Sequence, residues 1–290
     1  MSPQIIINGL ALGSVYALIS TGFSLVFNIL KFSNFSHGAL MTFSAFAGYF
    51  IAVESGLGFI PTVLAAVATG ALVSLFGELV AFRRIILRGT SPIYFFVSSI
   101  TLGTLYEGIV TLKVGANFYS YPRFFTQPTI NIGGLVVSTS DALMFLCSAS
   151  ALLVLGHMVR NTRQGRALRS VSFDRSTASL MGINVTRTIQ LTFMVSGALA
   201  GLSGVFLGIN YTLYPTLGGL VVKGFIASVV GGLGSLYGAI VGAVILGVVE
   251  TLLIRTVGSG YSPVFTFVIM LVFLLLRPQG ISGSNIQEKA

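Results

Sequence analysis

The chain contains little charge and few of the residue groupings on which enzymes depend. Charged residues make up 8% of its 290 residues, whereas soluble domains carry about 25%. It has no tryptophan and a single cysteine, Cys147, so no disulfide can form within the chain. Nothing matches the phosphate-binding pattern G-x-x-x-x-G-K-[ST], and no His, Cys and carboxylate cluster has metal-ligand spacing. These absences argue against an enzyme and against a resident metal.

Apolar sequence is what the chain has in abundance. Hydrophobic residues make up 54% of it, and the mean hydropathy is +0.94. They come in blocks of about 20, the length that crosses a hydrocarbon core about 30 Å thick. The sequence therefore predicts an all-α polytopic membrane protein with one transmembrane domain over residues 1–290. The formal charge of +9 fits loop topology and anionic lipid better than nucleic acid.

About eight spans are predicted, within a range of eight to ten. They are expected at residues 5–30, 35–53, 59–82, 92–114, 141–159, 188–210, 236–254 and 263–276. Residues 115–140 contain prolines and a Gly-Gly pair, and we expect an extramembrane loop there. The stretch 211–234 is ambiguous. Lys223 and the glycines disfavour a lipid-facing helix, but a re-entrant or broken helix buried in protein is acceptable.

Arginine and lysine in short loops predict the orientation, because such loops stay on the cytoplasmic side. Residues 83–88 hold three arginines and residues 160–187 hold six, so the two loops carry nine of the sixteen basic residues. Two spans separate the loops, so both can be cytoplasmic, and the N-terminus is then outside. With eight spans the C-terminal tail would lie outside, against the charge rule. A ninth crossing at 217–234 would bring the tail inside, and the sequence leaves this choice open.

The arginine loop, residues 160–187, is the only long and strongly basic segment, and Asp174 is its one acidic residue. Residues 166–180 lack proline and glycine, which predicts a short amphipathic helix, and Gly182 supplies its stop. The expected apolar face holds Leu168, Val171 and Ala178, and the basic face holds Arg163, Arg166 and Arg169. On this feature alone, an ordinary solvated loop and a helix that docks on a partner are equally good interpretations.

Ionisable residues inside apolar spans are costly and often functional. Glu107, Lys223 and Glu250 are such residues, and structural pairing ranks slightly ahead of a direct transport role for them. Glu78 lies near arginines at the cytoplasmic edge, where local pairing is the simpler interpretation. His37 stands at the cytoplasmic start of the second predicted span. Taken alone, it is more typical of a hydrogen-bonded structural histidine than of a proton carrier.

Glycines recur at spacings of three and four in residues 197–208 and 234–242. Such faces let helices approach closely, and tight packing is a better explanation for them than direct substrate contact. Gly231, Gly232 and Gly234 interrupt the helical pattern in the ambiguous stretch. Because broken helices at membrane depth mark transport sites in many carriers, a pocket lined by backbone is possible there.

Several motifs occur in one order along nearly the whole chain. They are NGLALGSVYAL at 8–18, NFSHG at 34–38, GRALR at 165–169 with Asp174 and Gly182-Ile183-Asn184 after it, Lys223-x-Phe225, and GGLGS at 231–235 with Gly238-Ala239 and Glu250 after it. Together they resemble the LivH-type permeases, the membrane subunits of branched-chain amino-acid ABC importers. Ser36, Ser170 and Tyr237 depart from the alanine, alanine and proline that are usual in that family. Tyr237 changes the composition of a turn.

The resemblance implies a type II-like importer in a bacterial inner membrane, with this chain as a multi-pass permease. A second, LivM-like permease would complete the pathway, and an extracytoplasmic (periplasmic) binding protein would deliver the solute. Two ATPase subunits would bind ATP and Mg²⁺, so this chain would bind no cofactor. Family substrates include branched-chain amino acids, other amino acids, urea, short amides and aromatic acids.

The resemblance also implies that residues 165–184 contact the ATPase. The expected coupling residues are Gly165, Arg166, Arg169, Asp174, Gly182, Ile183 and Asn184. Charge reversal at Arg166 and Arg169 is expected to abolish uptake while leaving membrane insertion intact. The candidate pathway residues are Asn34, His37, Glu107, Lys223, Gly232, Gly234 and Glu250.

Two other transport classes remain as alternatives. An ion-coupled secondary amino-acid transporter would use Glu107, Glu250 or His37 and would respond to an uncoupler while ATP was held constant. A passive channel would equilibrate its solute, and the chain has no Asn-Pro-Ala pair of the aquaporin kind. Both alternatives leave the helix predicted in the arginine loop unexplained, so the sequence favours the ABC importer permease.

Overall fold

The computed structural model describes residues 3–89, 91–125, 129–132, 135–277 and 279–282. Its helices are α1 (Pro3–Leu30), α2 (Ser36–Glu54), α3 (Phe59–Gly77), α4 (Arg83–Arg88), α5 (Pro92–Val114), α6 (Thr139–Asn161), α7 (Arg163–Phe173), α8 (Arg175–Leu180), α9 (Val185–Asn210), α10 (Val221–Gly231), α11 (Leu236–Thr256) and α12 (Ser262–Leu276). Within these residues, eight helical stretches are long and apolar enough to cross a membrane. The predicted fold class and the eight long spans are confirmed.

The third span is longer than predicted. After α3 a π-helical turn, Glu78–Phe82, leads directly into α4, so one helical stretch runs from Phe59 to Arg88. It ends at Gly89, whose φ of 59° is a left-handed conformation that glycine adopts easily. The arginines therefore lie on the last turns of the helix, where their long side chains can reach water.

A β-hairpin lies in the loop before α6, where no regular structure was predicted. Strand β1 (Thr129–Ile132) pairs antiparallel with β2 (Leu135–Ser138). Gln4, at the start of α1, donates to the Val136 carbonyl at 2.7 Å and accepts from the Val136 N–H at 3.2 Å. The hairpin and the N-terminal end of α1 therefore lie at the same end of the bundle.

Helices α1, α2 and α9 form the centre of the bundle, and glycine allows their close contacts. Helix α1 runs antiparallel to α11, and a Cβ at Gly247 would lie 2.4 Å from the Gly13 Cα. Between α3 and α9, a Cβ at Gly70 would lie 2.1 Å from the Gly197 carbonyl oxygen. No side chain fits at these separations. Tight packing thus explains the glycine spacing around Gly197, as the sequence indicated.

The ambiguous stretch crosses the bundle as a broken element. At one end, the backbones of Leu213 and Tyr119 exchange two hydrogen bonds of 2.8 Å, and Tyr119 belongs to the loop that carries the hairpin. A 3₁₀ turn, Leu217–Leu220, then leads into α10, and together they form an apolar helix of only 15 residues. At the other end, Gly234 lies beside Asn28 near the C-terminal end of α1. Residues 211–234 therefore connect opposite ends of α1.

The C-terminal tail lies at the same end as the arginine loop. The N–H groups of Ile281 and Ser282 donate to the carbonyls of Val230 and Gly231, each at 2.9 Å. Gly231 belongs to the turn beside Asn28, and the arginine loop reaches this end of α1 as well. Of the two topologies that the sequence left open, these contacts favour the one with a ninth crossing, which brings the tail to the side of the arginine loop. The broken crossing satisfies the positive-inside rule because it adds one more passage through the bundle.

Candidate functional site

The arginine loop folds into two helices, α7 and α8, where one helix over 166–180 was predicted. Asp174 separates them with an extended backbone, φ −153° and ψ 121°. Its Oδ1 accepts the Thr177 N–H at 2.5 Å and so caps the start of α8. Hydrogen bonds from the Thr177 N–H and from the Thr177 side chain stabilise the carboxylate and hold the pKa of Asp174 below its usual range. An aspartate that bonds to nearby backbone in this way competes with helix continuation.

The apolar face predicted for the loop is confirmed. Leu168, Val171 and Ala178 are all buried against the membrane helices. The Thr162 hydroxyl oxygen accepts the Gly165 N–H at 3.1 Å and caps the first turn of α7. Helices α7 and α8 are thus docked onto the bundle by one face, and the other face is left to solvent.

Gly165 fixes how closely α7 approaches the end of α6. A Cβ at this position would lie 2.2 Å from the Val159 carbonyl oxygen and 2.3 Å from that of Met158. No side chain can occupy that space without displacing one of the helices. The residue therefore sets the position of the loop, and this is the physical reason for glycine in the motif.

Two arginines of the loop cap the ends of membrane helices. The Arg169 guanidinium donates to the Val159 carbonyl and, at 3.4 Å, to that of Arg160, at the end of α6. Arg175 Nη2 donates to the Ile29 carbonyl at 2.6 Å, at the end of α1. Cations are favourable at helix C-termini, where unpaired carbonyls concentrate negative charge. Arg166 and Arg169 are both exposed, but Arg169 caps α6, so the two arginines predicted as a coupling pair have different roles.

The arginine loop brings Arg175 close to Lys31, a second positive charge at the end of α1. Partial burial lowers the pKa of both Arg175 and Lys31, and repulsion by Arg175 lowers the pKa of Lys31 further. Sequence reasoning did not single out either residue as a contact between the loop and α1. Their separation of well over a hundred positions explains why no local pattern could show it.

The Gly182-Ile183-Asn184 motif ends one helix and begins the next. Gly182 has a φ of 81°, and its N–H donates to the Ser179 carbonyl at 3.0 Å. The Ile183 N–H donates to the Ala178 carbonyl at 3.1 Å, which completes a Schellman motif. Asn184 Oδ1 then accepts the Arg187 N–H at 2.9 Å and caps α9. The motif therefore holds α8 at a fixed angle to α9.

Three large apolar side chains stand in solvent on the loop. Phe173 is 93% exposed, Leu180 88% and Met181 78%, and we call these three residues the loop patch. Phe173 and Met181 line a groove of about 590 Å³ together with Arg169 and Asp174. Exposed apolar patches rimmed by polar groups mark interaction surfaces. The sequence prediction missed the loop patch, because only the tertiary fold shows which side of each short helix faces water.

Glu250 is the centre of a buried polar network between four elements. It is 3% exposed, and its Oε1 accepts hydrogen bonds from Lys223 Nζ and, at 2.7 Å, from the Ser262 hydroxyl. Its Oε2 accepts from the Tyr16 hydroxyl at 3.0 Å. The network therefore joins α1, α10, α11 and α12. Lys223 and Glu250, two candidates that stand 27 positions apart, are brought together as an ion pair.

Asn34 and His37 belong to the start of α2, deep in the bundle. Asn34 Oδ1 accepts from the Ser36 N–H at 3.2 Å and from the Ser36 hydroxyl at 2.7 Å. His37 is buried against Gly22, and its Nδ1 lies 3.4 Å from the Ser196 hydroxyl. Its Nε2 has no hydrogen-bond partner among the described residues. His37 is the second residue of α2, at the start of that span as expected, and its imidazole is buried between α1 and α9.

The other two membrane carboxylates lie apart from this network. Glu107 is half-buried on α5. The hydrogen bonds that the described residues make to Glu250 come from Tyr16, Lys223 and Ser262, and Glu107 takes no part in them. Glu78 is buried in the π-helical turn, with Gln190 of α9 as a hydrogen-bond partner and Arg83 nearby. Local pairing at Glu78 thus extends to a neighbouring helix.

Gly232 and Gly234 form the turn between α10 and α11. Their φ values are 110° and 84°, in the region that favours glycine. Beside them, a Cβ at Gly231 would lie 2.0 Å from the Gly238 carbonyl oxygen. These glycines let the two helices fold back on each other at the arginine-loop end of the bundle. The turn requires the positive φ values of Gly232 and Gly234, and this explains why glycine occupies both positions.

The motifs and the fold agree with one family of transport proteins. A model of the family described as "Branched-chain amino acid transport system / permease component" matches residues 5–274. The chain belongs to this family. It is therefore a permease component of an ABC transporter rather than an enzyme, and a multi-pass protein of the inner membrane. Such components work with ATPase and binding-protein partners.

Curated relatives match the permease over nearly its whole length. Two proteins named "High-affinity branched-chain amino acid transport system permease protein LivH", from Salmonella typhimurium and Escherichia coli K12, are each 33% identical over 301 residues. BraD from Pseudomonas aeruginosa, with the same descriptive name, is 34% identical over 300 residues. In each case 99% of the permease and 97% of the relative are covered.

Solved structures support the fold of the permease. PsaBC from Streptococcus pneumoniae has a TM-score of 0.54 at 17% identity, and the match covers 96% of the permease and 94% of that chain. An inward-facing metal-chelate type ABC transporter has a TM-score of 0.52 at 16% identity, with 94% and 84% covered. At these identities the similarity concerns the arrangement of helices alone.

Proposed function

We propose that this permease imports branched-chain amino acids or closely related small solutes, as one of two homologous membrane chains in an ATP-driven transporter. The other chain would be LivM-like, and a periplasmic binding protein would deliver the solute. ATP and Mg²⁺ would bind to two ATPase subunits, since the permease has no phosphate-binding loop. The names of the relatives from Salmonella, Escherichia coli and Pseudomonas support this substrate class.

The observation that carries this proposal is the loop patch on the arginine loop. Residues 160–187 are anchored to the bundle by one buried face, yet they present Phe173, Leu180 and Met181 to water. A loop with no partner gains nothing from three exposed apolar side chains, whereas a docking surface uses them as contacts. We assign this surface to the ATPase subunit, so the arginine loop is the coupling segment of a single transmembrane domain.

The candidate coupling residues divide into two groups by their contacts. Arg166 and Asp174 are exposed on the arginine loop and would contact the ATPase directly. The remaining five position the loop, because they cap helices or fill space that a larger residue cannot occupy. These five are Gly165, Arg169, Gly182, Ile183 and Asn184.

For the pathway, we propose that the start of α10 lies at the solute route. Lys223 is 19% exposed while its partner Glu250 is 3% exposed, so the cation is the accessible end of the pair. A half-length helix that begins inside the bundle places unpaired backbone groups at membrane depth, as in other carriers. Asn34 and His37 lie on the neighbouring α2, whose Gly38 packs on Gly218.

The proposal is tested by purifying the permease in mild detergent from its native membranes and identifying the chains that accompany it. We expect two ATPase chains and a second, similar permease. The complex is then placed in proteoliposomes with its binding protein, and radiolabelled leucine uptake is measured. Accumulation should require ATP and persist when an uncoupler removes the proton gradient. A solitary chain whose uptake follows that gradient would instead identify an ion-coupled transporter.

A further inference from the structure

A pocket of about 310 Å³ lies where the arginine loop meets the membrane helices α1, α6 and α9. Its walls are mainly apolar and include Leu25, Leu191 and Val195. At one end stand two arginines, Arg163 at the start of α7 and Arg187 in the first turn of α9. Among the described residues that line the pocket, none is acidic. The pocket thus combines an apolar interior with a doubly cationic rim.

The pocket extends into the depth of the membrane. Asn184 and Val195 both line it, and their separation of 11 positions corresponds to about 16 Å along α9. Leu191 is 38% exposed, so the inner part opens on the side of the bundle. A protein that approaches from the cytoplasm could reach the arginines but not Val195. An occupant that enters from the lipid could reach both.

We infer that this pocket binds an anionic phospholipid, with the headgroup phosphate on Arg163 and Arg187 and an acyl chain beside Leu191 and Val195. Arginine presents a planar set of donors that matches phosphate geometry. Basic pockets between membrane helices on the cytoplasmic side bind anionic headgroups, and apolar walls suit the acyl chain. Exposed Leu191 gives the chain its entry. The bound lipid lies directly beneath α7, so it also supports the arginine loop.

The absence of tryptophan from the chain makes the inference easy to test. Leu191→Trp introduces a single indole at the side opening of the pocket. The full-length variant is placed in phosphatidylcholine nanodiscs that contain a small fraction of either dibrominated phosphatidylglycerol or dibrominated phosphatidylcholine. Bromine quenches an indole that it contacts. We expect half-maximal quenching at a mole fraction on the order of 25-fold lower for the anionic lipid, because each of the two arginines contributes about five-fold.

Matched charge variants show which arginines cause the preference for the anionic lipid. Arg163→Gln with Arg187→Gln should make the two brominated lipids equally effective. Arg84→Gln with Arg88→Gln removes the same charge from exposed positions on the same side of the membrane, and it should preserve the preference. Equal quenching by both lipids before any arginine is changed would overturn the inference. So would quenching by neither lipid, or loss of the preference in the Arg84 and Arg88 variant.

The unmutated permease provides a second measurement that does not depend on the tryptophan variant. In native mass spectrometry from a detergent that contains equal amounts of both lipids, it should retain phosphatidylglycerol. The Arg163 and Arg187 variant should lose that adduct, and retention of both lipids in equal amounts would contradict the inference. Neither readout involves transport, so a failure here is distinct from a failure of the proposed importer function.

Discussion

Glu250 is a carboxylate buried among membrane helices, and three hydrogen-bond donors explain how it remains there. Lys223 supplies the opposite charge, and the hydroxyls of Tyr16 and Ser262 occupy further lone pairs. A buried charge without a partner is far more costly than the same charge within a complete network. The sequence identified both members of the pair but not the pairing, because they lie 27 positions apart on two different helices.

The first prediction concerns this pair. Glu250→Gln and Lys223→Met should each destabilise the permease by about 3 kcal/mol, because each leaves a buried polar group without its counterpart. The double variant should recover part of that loss. Thermal unfolding of the four proteins in one detergent, treated as a double-mutant cycle, measures the coupling. Additive losses would show that the two residues do not interact.

Gly165 provides a second prediction. Gly165→Ala places a methyl group 2.2 Å from the Val159 carbonyl oxygen, and overpacking of this kind typically costs about 1–3 kcal/mol. We expect α7 to shift and the ATPase to dissociate more readily, measured by co-purification and uptake. Gly156→Ala is the matched control, because a Cβ at Gly156 meets nothing within 4 Å. Equal behaviour of the two variants would rule out the close approach of α7 to α6.

At the scale of elements, hydropathy located all eight long spans, but it could not show how the shorter pieces fold. The helix predicted over 166–180 is divided at Asp174 by a hydrogen bond from Thr177, a local competition that composition does not reveal. The hairpin at 129–138 is also short, and contacts with Gln4 help to hold it. Burial of one loop face and exposure of the other depend on the bundle, which no local window contains.

The loop patch gives the third prediction. Phe173→Ser with Met181→Ser should weaken the ATPase interaction by about ten-fold or more, since truncation of a single interface hot spot costs about 2 kcal/mol or more. Because both side chains are exposed, the thermal stability of the isolated permease should stay within about 0.5 kcal/mol. Binding of purified ATPase to the permease in nanodiscs is the measurement. Unchanged affinity would remove the loop patch from the coupling surface.

Substitutions of the two arginines of the GRALR motif should have different effects on uptake and on thermal stability. Arg166→Glu should reduce uptake with little effect on thermal stability, because its side chain is exposed. Arg169→Glu should reduce both, because it places a negative charge at the carbonyls that end α6. Uptake assays and melting curves on each single variant make the comparison. Identical melting temperatures would show that Arg169 does not cap α6.

At the scale of the whole molecule, the broken crossing decides the topology. Charge counting correctly placed both basic loops on the same side, but it could not count a passage made of an extended segment and a half-length helix. The contact between Ile281 and Val230 favours the ninth crossing, since it ties the tail to the arginine-loop end. Hydropathy windows of about 20 residues are too long to detect such an element.

Cysteine accessibility tests this topology. On a Cys147→Ser background, Ser282→Cys and Ser176→Cys should react with a membrane-impermeant maleimide only after the inner membrane is opened. Thr212→Cys, at the exposed opposite end, should react in intact spheroplasts. Shared behaviour of positions 282 and 176 confirms that the tail and the arginine loop are on one side. Labelling of position 282 in intact spheroplasts would restore the eight-crossing topology.

The half-length helix α10 also constrains how the chain is made. During translation, Lys223 reaches the translocon while Glu250 and Ser262 are still inside the ribosome, so a translocon that tests segments one by one meets a short helix with an uncompensated charge. Such a segment is poorly retained in lipid by itself. We expect it to enter the bilayer together with α11 and α12, which supply Glu250 and Ser262. Truncation of the nascent chain before residue 250 should leave α10 accessible to water.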